Sequence, residues 1–158
     1  MNGYFEKRRK VMFRLLQEAN IEVAVFGEPL TYYYLTGVMI NPHERFMGLI
    51  MDAATEACAA IIPSTDTSAM DATGIESVVI KDHEAPARVL APWLQNRKIG
   101  IQMGGGYSEH YSMALGKSLF EAFGFGIADV TGLADRMRIR KDAMELGHHR
   151  QAALITDM

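Results

Sequence analysis

The sequence predicts an α/β domain built on a mixed β-sheet flanked by helices. Short apolar runs rich in β-branched residues alternate along the chain with longer segments whose apolar residues recur at helical spacing. Two successive apolar runs, 46–52 and 57–62, are joined only by the short connector 53–56, which predicts an antiparallel hairpin. Strands that alternate with helices favour parallel pairs elsewhere, so the sheet is expected to be mixed.

The first predicted element is a helix over residues 4–19. Its apolar residues recur at helical spacing, and Asn20 is a plausible C-terminal stop. The basic run Lys7 to Lys10 near the start is predicted to be a solvated helix face, because no second basic cluster accompanies it. The apolar residues of this helix are Val11, Met12, Leu15, Leu16 and Ala19.

A strand over residues 21–26 follows, and a turn at Gly27-Glu28-Pro29 leads into a short helix through Leu35. Thr36-Gly37 ends that helix, because glycine accepts the positive φ of a helix terminus. The two hairpin strands come next, and Pro63 ends the second of them.

The second half of the chain continues the alternation. Further strands are predicted over 75–80, 98–101 and 127–130, and helices over 65–72, 85–96 and 108–123. Thr131 is predicted to cap a helix through Ile139, and Asp142 to cap a final helix that runs to Met158.

Composition limits the classes of function. The chain has 158 residues, 49% of them apolar, which suits one domain with a core. Its net charge of -3 argues against a general nucleic-acid binder, which needs a basic surface. No apolar run reaches the roughly 18 residues of a membrane span, so no membrane partner is expected. Cys58 is the only cysteine, which fits a reducing cytoplasm.

No sequence motif in the chain satisfies a metal or catalytic pattern. His43-Glu44 matches the start of the zinc-binding His-Glu-x-x-His helix, but Met47 occupies the position of the second histidine. His148 and His149 are adjacent, so on a helix they point about 100° apart. We therefore predict no catalytic residue and no metal ligand in this chain.

Two further features receive structural interpretations. The glycines at 104–106 lack the lysine and the spacing of a phosphate-binding loop, which favours a flexible turn. Cys58 lies within a predicted strand and is expected to be a small core residue rather than a nucleophile.

The polar insert Asn41-Pro42-His43-Glu44-Arg45 separates the short helix from the first hairpin strand. A loop of this kind presents polar groups that a core cannot hold, and binding residues concentrate in loops. The alternative, a solvated loop without a function, is equally compatible with the spacing.

Several stretches together resemble the N-terminal, creatinase-type domain of the Xaa-Pro peptidases, with bacterial Xaa-Pro dipeptidase (prolidase) as the most similar group. Tyr33 to Gly37 is similar to a Tyr-Leu-Thr-Gly stretch, and residues 42–45 to a Pro-His-Glu-Arg loop. Residues 99–102 are similar to an Ile-Gly-Val-Glu strand, with Gln102 in place of the glutamate. Residues 137–146 are similar to the segment Leu-Arg-x-Ile-Lys-x-x-x-Glu-Leu that leads into the second domain.

The resemblance implies a ribonuclease-H-like fold over residues 1–135. Residues 136–158 would then be the linker and first helix of a C-terminal pita-bread catalytic domain. In such enzymes two divalent metals, manganese, cobalt or zinc, activate a water molecule in that second domain. The fragment itself is expected to hold no cofactor and to be inactive alone.

For the polar insert, the resemblance implies a contact with substrate. Arg45, and second His43, would bind the carboxylate of a proline-containing dipeptide and exclude longer peptides. The expected partners are the chain's own catalytic domain and a second copy in a homodimer. Two alternatives remain open: a peptidase-like binding module without catalysis, as in some histone chaperones, and the N-terminal domain of a creatinase-type amidinohydrolase.

Overall fold

The computed structural model describes residues 2–42, 46–81, 83–104, 117–124 and 126–156. The strands are β1 (Val23–Phe26), β2 (Gly48–Asp52), β3 (Ala57–Ile62), β4 (Glu76–Val79), β5 (Ile99–Ile101) and β6 (Ala128–Asp129). The helices are α1 (Asn2–Glu18), α2 (Pro29–Thr36), α3 (Thr67–Asp71), α4 (Pro86–Leu94), α5 (helical residues 117–123), α6 (Thr131–Ile139) and α7 (Ala143–Thr156), and a 3-10 turn at Ser64–Asp66 precedes α3.

The strands form one mixed sheet in the order β4-β3-β2-β1-β5-β6. The hairpin β2–β3 and the pair β1–β2 are antiparallel, whereas β1–β5, β3–β4 and β5–β6 are parallel. The prediction of a mixed sheet with one hairpin is confirmed. In this topology the carboxyl ends of β1, β3 and β5 and the amino end of β2 lie at one edge of the sheet, because Phe26 pairs with Leu49 and Gly48 with Ile61.

Each face of the sheet is covered by helices, as the alternation of side chains along a strand requires. On one face Phe26, Leu49 and Met51 pack with Leu16 of α1 and Leu35 of α2. This face also holds residues of α3 and α6, namely Met70 and Ala134. On the other face Val25, Ile50 and Ile61 pack with α4 and α5 through Leu90, Leu94 and Leu119.

The helix ends follow the predicted signals in most places. Asn20, just after α1, has φ of 57° and Gly37, at the end of α2, has φ of 79°, both in the left-handed region that ends helices. At Gly37 a side chain is also excluded by space, because a Cβ would lie 2.5 Å from the ring of Phe5. Asp142 caps α7, as its Oδ1 accepts the backbone N–H of Glu145 at 2.9 Å.

Thr131 differs from its predicted role. It is the first residue of α6, and its hydroxyl accepts the backbone N–H groups of Met103 and Gly104 at 3.1 and 3.0 Å. The carboxylate of Asp129 accepts the N–H of Thr131 instead. The hydroxyl is therefore used to join the segment after β5 to α6, a contact between distant residues that local spacing does not reveal. The predicted helix 108–123 is seen over 117–123, and residues 108–116 lie outside the described residues.

Close packing at Gly100 in β5 yields the first testable prediction. A Cβ at this position would lie 2.5 Å from Val130 Cγ1 and 3.0 Å from Ile21 Cγ2. We expect Gly100→Ala to lower the free energy of unfolding by about 1–3 kcal/mol, because the surrounding core must shift. Urea denaturation measures the change. Gly132→Ala is the control, since nothing lies within 4 Å of its Cβ position; equal effects in the two variants would contradict the packing argument.

Candidate functional site

The candidate site is a cavity beside the polar insert, at the sheet edge where β3 ends and β2 begins. The cavity measures about 520 Å³ and is hereafter the loop cavity. Such edges are where open α/β sheets place their ligands. The lining residues are Val38, Met39, Ile40, Asn41, Pro42, Met47, Ile62, Pro63, Thr65, Asp66, Ala69 and Met70.

Both stems of the polar insert are fixed in the core. Ile40 and Pro42 are buried on one side, and Phe46 and Met47 on the other. The predicted contact residues His43 and Arg45, together with Glu44, lie outside the described residues. The structure therefore defines where the insert leaves and rejoins the fold, directly at the rim of the loop cavity.

The tyrosine cluster Tyr32 to Tyr34, on α2, precedes the insert. Its three side chains contact different parts of the fold, because successive helical residues point about 100° apart. Tyr32 is fully buried, donates its hydroxyl to Met70 Sδ at 3.2 Å, and has its pKa raised by burial. Tyr33 is partly exposed and lies edge-on to Phe5. Tyr34 donates its hydroxyl to the carbonyl of Met137 in α6 at 3.2 Å.

A buried carboxylate, Glu28, holds the start of α2 at the same sheet edge. Its oxygens accept the backbone N–H groups of Leu30 and Thr31 at 3.1 and 2.7 Å and the Thr31 hydroxyl at 2.8 Å. Arg138 of α6 lies 3.5 Å from the same carboxylate. Gln102, just after β5, donates its amide to the Thr31 hydroxyl at 3.0 Å. These four side chains join β1, α2, β5 and α6.

The basic run Lys7 to Lys10 is a solvated face only in part: Lys7 and Lys10 are exposed as predicted, whereas Arg8 is not. Arg8 is only 7% exposed, and its guanidinium contacts Asp142 at 2.8 Å and Glu145 at 3.1 Å. It also lies 3.6 Å from the ring centroid of Tyr34. The two acidic partners are more than 130 residues away in the chain, so local pattern cannot show them. Arg8, Asp142 and Glu145 form what we call the α1–α7 clasp.

Contacts within and beside the clasp shift the pKa values of Asp142 and Tyr4. Burial raises the pKa of Asp142, but hydrogen bonds from Tyr4, the Glu145 backbone and Arg8 outweigh it and hold that pKa well below its ordinary range. Burial, and then the hydrogen bond to Asp142, raise the pKa of Tyr4. Asp142 and Glu145 also exchange backbone and side-chain hydrogen bonds as a capping box.

The remaining sequence candidates do not meet in a reactive cluster. Cys58 is half-buried in β3, and burial raises its pKa to about 12, so it remains a thiol at neutral pH. His83, His148 and His149 are exposed. Among the residues that the structure describes, no group of three or more His, Cys, Asp or Glu side chains is placed to hold a metal ion. Within the same ranges, none of the helices combines the length and apolarity needed to cross a membrane.

Comparison with known proteins identifies the class to which this α/β domain belongs. Residues 8–140 match the creatinase/prolidase N-terminal domain family, and the chain belongs to that family. The resemblance drawn from the sequence is thereby confirmed.

Individual relatives agree in fold. The N-terminal domain of an X-Pro dipeptidase from Streptococcus pyogenes superposes with a TM-score of 0.62 at 22% identity, over 85% of this chain and 98% of that one. The prolidase from Pyrococcus horikoshii gives 0.72 at 16% identity, over 96% of this chain and 40% of that one. A putative dipeptidase of Bacillus subtilis, YkvY, is 29% identical over 147 residues. That match includes 90% of this chain but only 40% of the length of YkvY.

The buried cap at Glu28 gives the second prediction. We expect Glu28→Ala to lower the free energy of unfolding by about 2–4 kcal/mol, because it leaves buried N–H and hydroxyl donors without an acceptor. Glu84→Ala is the matched control, since that carboxylate also accepts a backbone N–H, from Lys81, but at an exposed position. Its cost should stay below about 1 kcal/mol. Equal losses in urea denaturation would show that burial of the Glu28 network contributes nothing.

The clasp gives the third prediction, on pH. A carboxyl whose pKa is lowered by folding stabilises the protein above its unfolded-state pKa and loses that contribution as pH falls. For Asp142 the ordinary value is 3.8, so the stabilisation is present at pH 7 and declines below about pH 4. The difference in unfolding free energy between wild type and Asp142→Asn should follow that course in urea titrations at successive pH values. A difference independent of pH would contradict the assigned ionisation.

Proposed function

We propose that this chain is the N-terminal, non-catalytic domain of an Xaa-Pro dipeptidase-like metallopeptidase. The observation that carries the proposal is the match to YkvY, a putative dipeptidase of which this chain covers only 40%. In this proposal residues 1–135 form the domain and residues 136–158 lead into a C-terminal catalytic domain. The two divalent metals of such enzymes, manganese, cobalt or zinc, would bind in that second domain, since the described residues offer no metal-binding cluster.

We further propose that the polar insert gates the substrate. The residues on both sides of it are buried, so the insert leaves and rejoins the fold at fixed positions on the rim of the loop cavity. An arginine bonds a carboxylate with two parallel hydrogen bonds. Arg45 would therefore bind the terminal carboxylate of an Xaa-Pro dipeptide, with His43 as a second contact, and crowding would exclude longer peptides.

Dimerisation completes the proposal. Leu30 and Tyr33, one turn apart on α2, are partly exposed, and Met39 after the helix is 59% exposed. An apolar surface next to the insert suits a homodimer in which the insert of one copy narrows the active site of the other. A cytoplasmic location belongs to the same proposal.

The test uses the full-length protein encoded by the reading frame that contains this chain. Arg45→Ala should raise KM for Xaa-Pro dipeptides roughly tenfold and change kcat less, because it removes binding made equally in ground and transition states. Arg88→Ala, on α4 and the opposite face of the sheet, is the control and should leave KM unchanged.

Two outcomes would overturn the proposal. An unchanged KM in Arg45→Ala would remove the gating role. Metal-dependent hydrolysis of Xaa-Pro dipeptides by the purified 158-residue chain would show that the chemistry lies within it.

A further inference from the structure

A second concave surface lies between α1 and α6, and none of its residues lines the loop cavity. It measures about 660 Å³ and is hereafter the α1–α6 groove. Its lining residues are Tyr4, Lys7, Arg8, Val11, Leu15, Tyr34, Arg136, Met137, Ile139, Arg140 and Asp142. The accessible surface inside it is predominantly apolar. The proposed gating role does not use this surface, although its α6 side belongs to the segment 136–158 that is proposed to lead into the catalytic domain.

The floor of the groove has the pattern of a helix-binding seam. On α1 the lining residues Tyr4, Val11 and Leu15 recur at helical spacing on one face, a stripe roughly 16 Å long. Across from them α6 supplies Met137 and Ile139, and Ile139 is 73% exposed. Two helices that leave an apolar stripe open between them can accommodate a third amphipathic helix.

The rim of the groove carries an excess of positive charge. The two carboxylates beside it, Asp142 and Glu145, both pair with Arg8. Lys7, Arg136 and Arg140 have no acidic partner within the described ranges. Arg136 belongs to α6, Arg140 is the residue directly after it, and both line the groove. The Nε of Arg8 is buried in the lining and has no hydrogen-bond partner among the described residues.

We propose that the α1–α6 groove binds an acidic amphipathic helix of a partner protein. Apolar side chains of that helix lie on Val11, Leu15 and Ile139, and its flanking carboxylates pair with Lys7, Arg136 and Arg140. Charge complementarity selects this occupant. An apolar helix would leave the three cations unpaired, and a basic helix would be repelled. The inference goes beyond the proposed peptidase role, because it concerns a different surface.

The probe is a fluorescein-labelled helical peptide of about 15 residues, long enough to span the stripe. It carries leucine at positions i, i+3 and i+7 and glutamate at the flanking positions. Fluorescence anisotropy on the 158-residue chain should show saturable binding that weakens as salt is added, because the flanking ion pairs are screened.

Two double variants of equal charge change separate the groove from a general charge effect. Arg136→Glu/Arg140→Glu should weaken binding by at least about tenfold, because it replaces attraction by repulsion at the rim. Arg88→Glu/Lys98→Glu alters the net charge equally but lies outside the groove, and it should change binding less than about twofold. Circular dichroism checks that both variants remain folded. All four substituted residues are exposed, so we expect both variants to fold.

Other results would overturn the proposal. Equal binding of a peptide with lysine in place of each glutamate would remove the charge argument. Absence of binding, or equal loss of binding in both double variants, would exclude the groove as the binding site. If sedimentation instead shows a dimer of the chain that only Arg136→Glu/Arg140→Glu dissociates, the groove is occupied by a second copy and the proposed partner is wrong.

Discussion

The fold depends most on a carboxylate taken out of water at the end of the first strand. Glu28 has no exposed surface, so each of its oxygens must find donors within the protein. The first turn of α2, the Thr31 hydroxyl and Arg138 supply them, and Gln102 extends the network through Thr31. Because Glu28 follows β1 and those groups come from α2, α6 and the end of β5, one buried charge sets the position of α2 relative to β5 and α6. The tyrosine cluster and the stem of the polar insert continue from that helix.

A second buried charge acts at the other end of the same layer. Arg8 is held by two carboxylates of α7 and by the ring of Tyr34, so α1, α2 and α7 meet at one guanidinium. No residue of α7 is buried, and within the described part of the chain its ion pairs with the rest of the fold are made by its capping residues Asp142 and Glu145. Its orientation therefore depends on directed ion pairs more than on apolar packing, which makes the clasp sensitive to charge in a way that the sheet core is not.

The two concave surfaces differ in position and in the chemistry of their walls. The loop cavity lies at the sheet edge, beside an insert with buried stems, and its walls combine methionine and isoleucine with the carboxylate of Asp66. Methionine side chains adapt to ligands of different shape. The α1–α6 groove lies between helices and pairs an apolar floor with an excess of cations. In our proposals the first surface serves substrate gating and the second serves a partner helix.

The sequence by itself determined the α/β class, the hairpin, most element positions and the family, because apolar periodicity, glycine stops at positions such as Gly37 and the order of short motifs are local properties of the chain. It also identified the Asp142 cap, whose partner is three residues away. Tertiary structure alone decided that Arg8 is buried, that Thr131 joins two segments instead of capping a helix, and that Glu28 and Gln102 share a network. Each of these depends on residues brought together from distant parts of the chain. A charged or polar side chain looks the same in sequence whether water or a buried partner satisfies it.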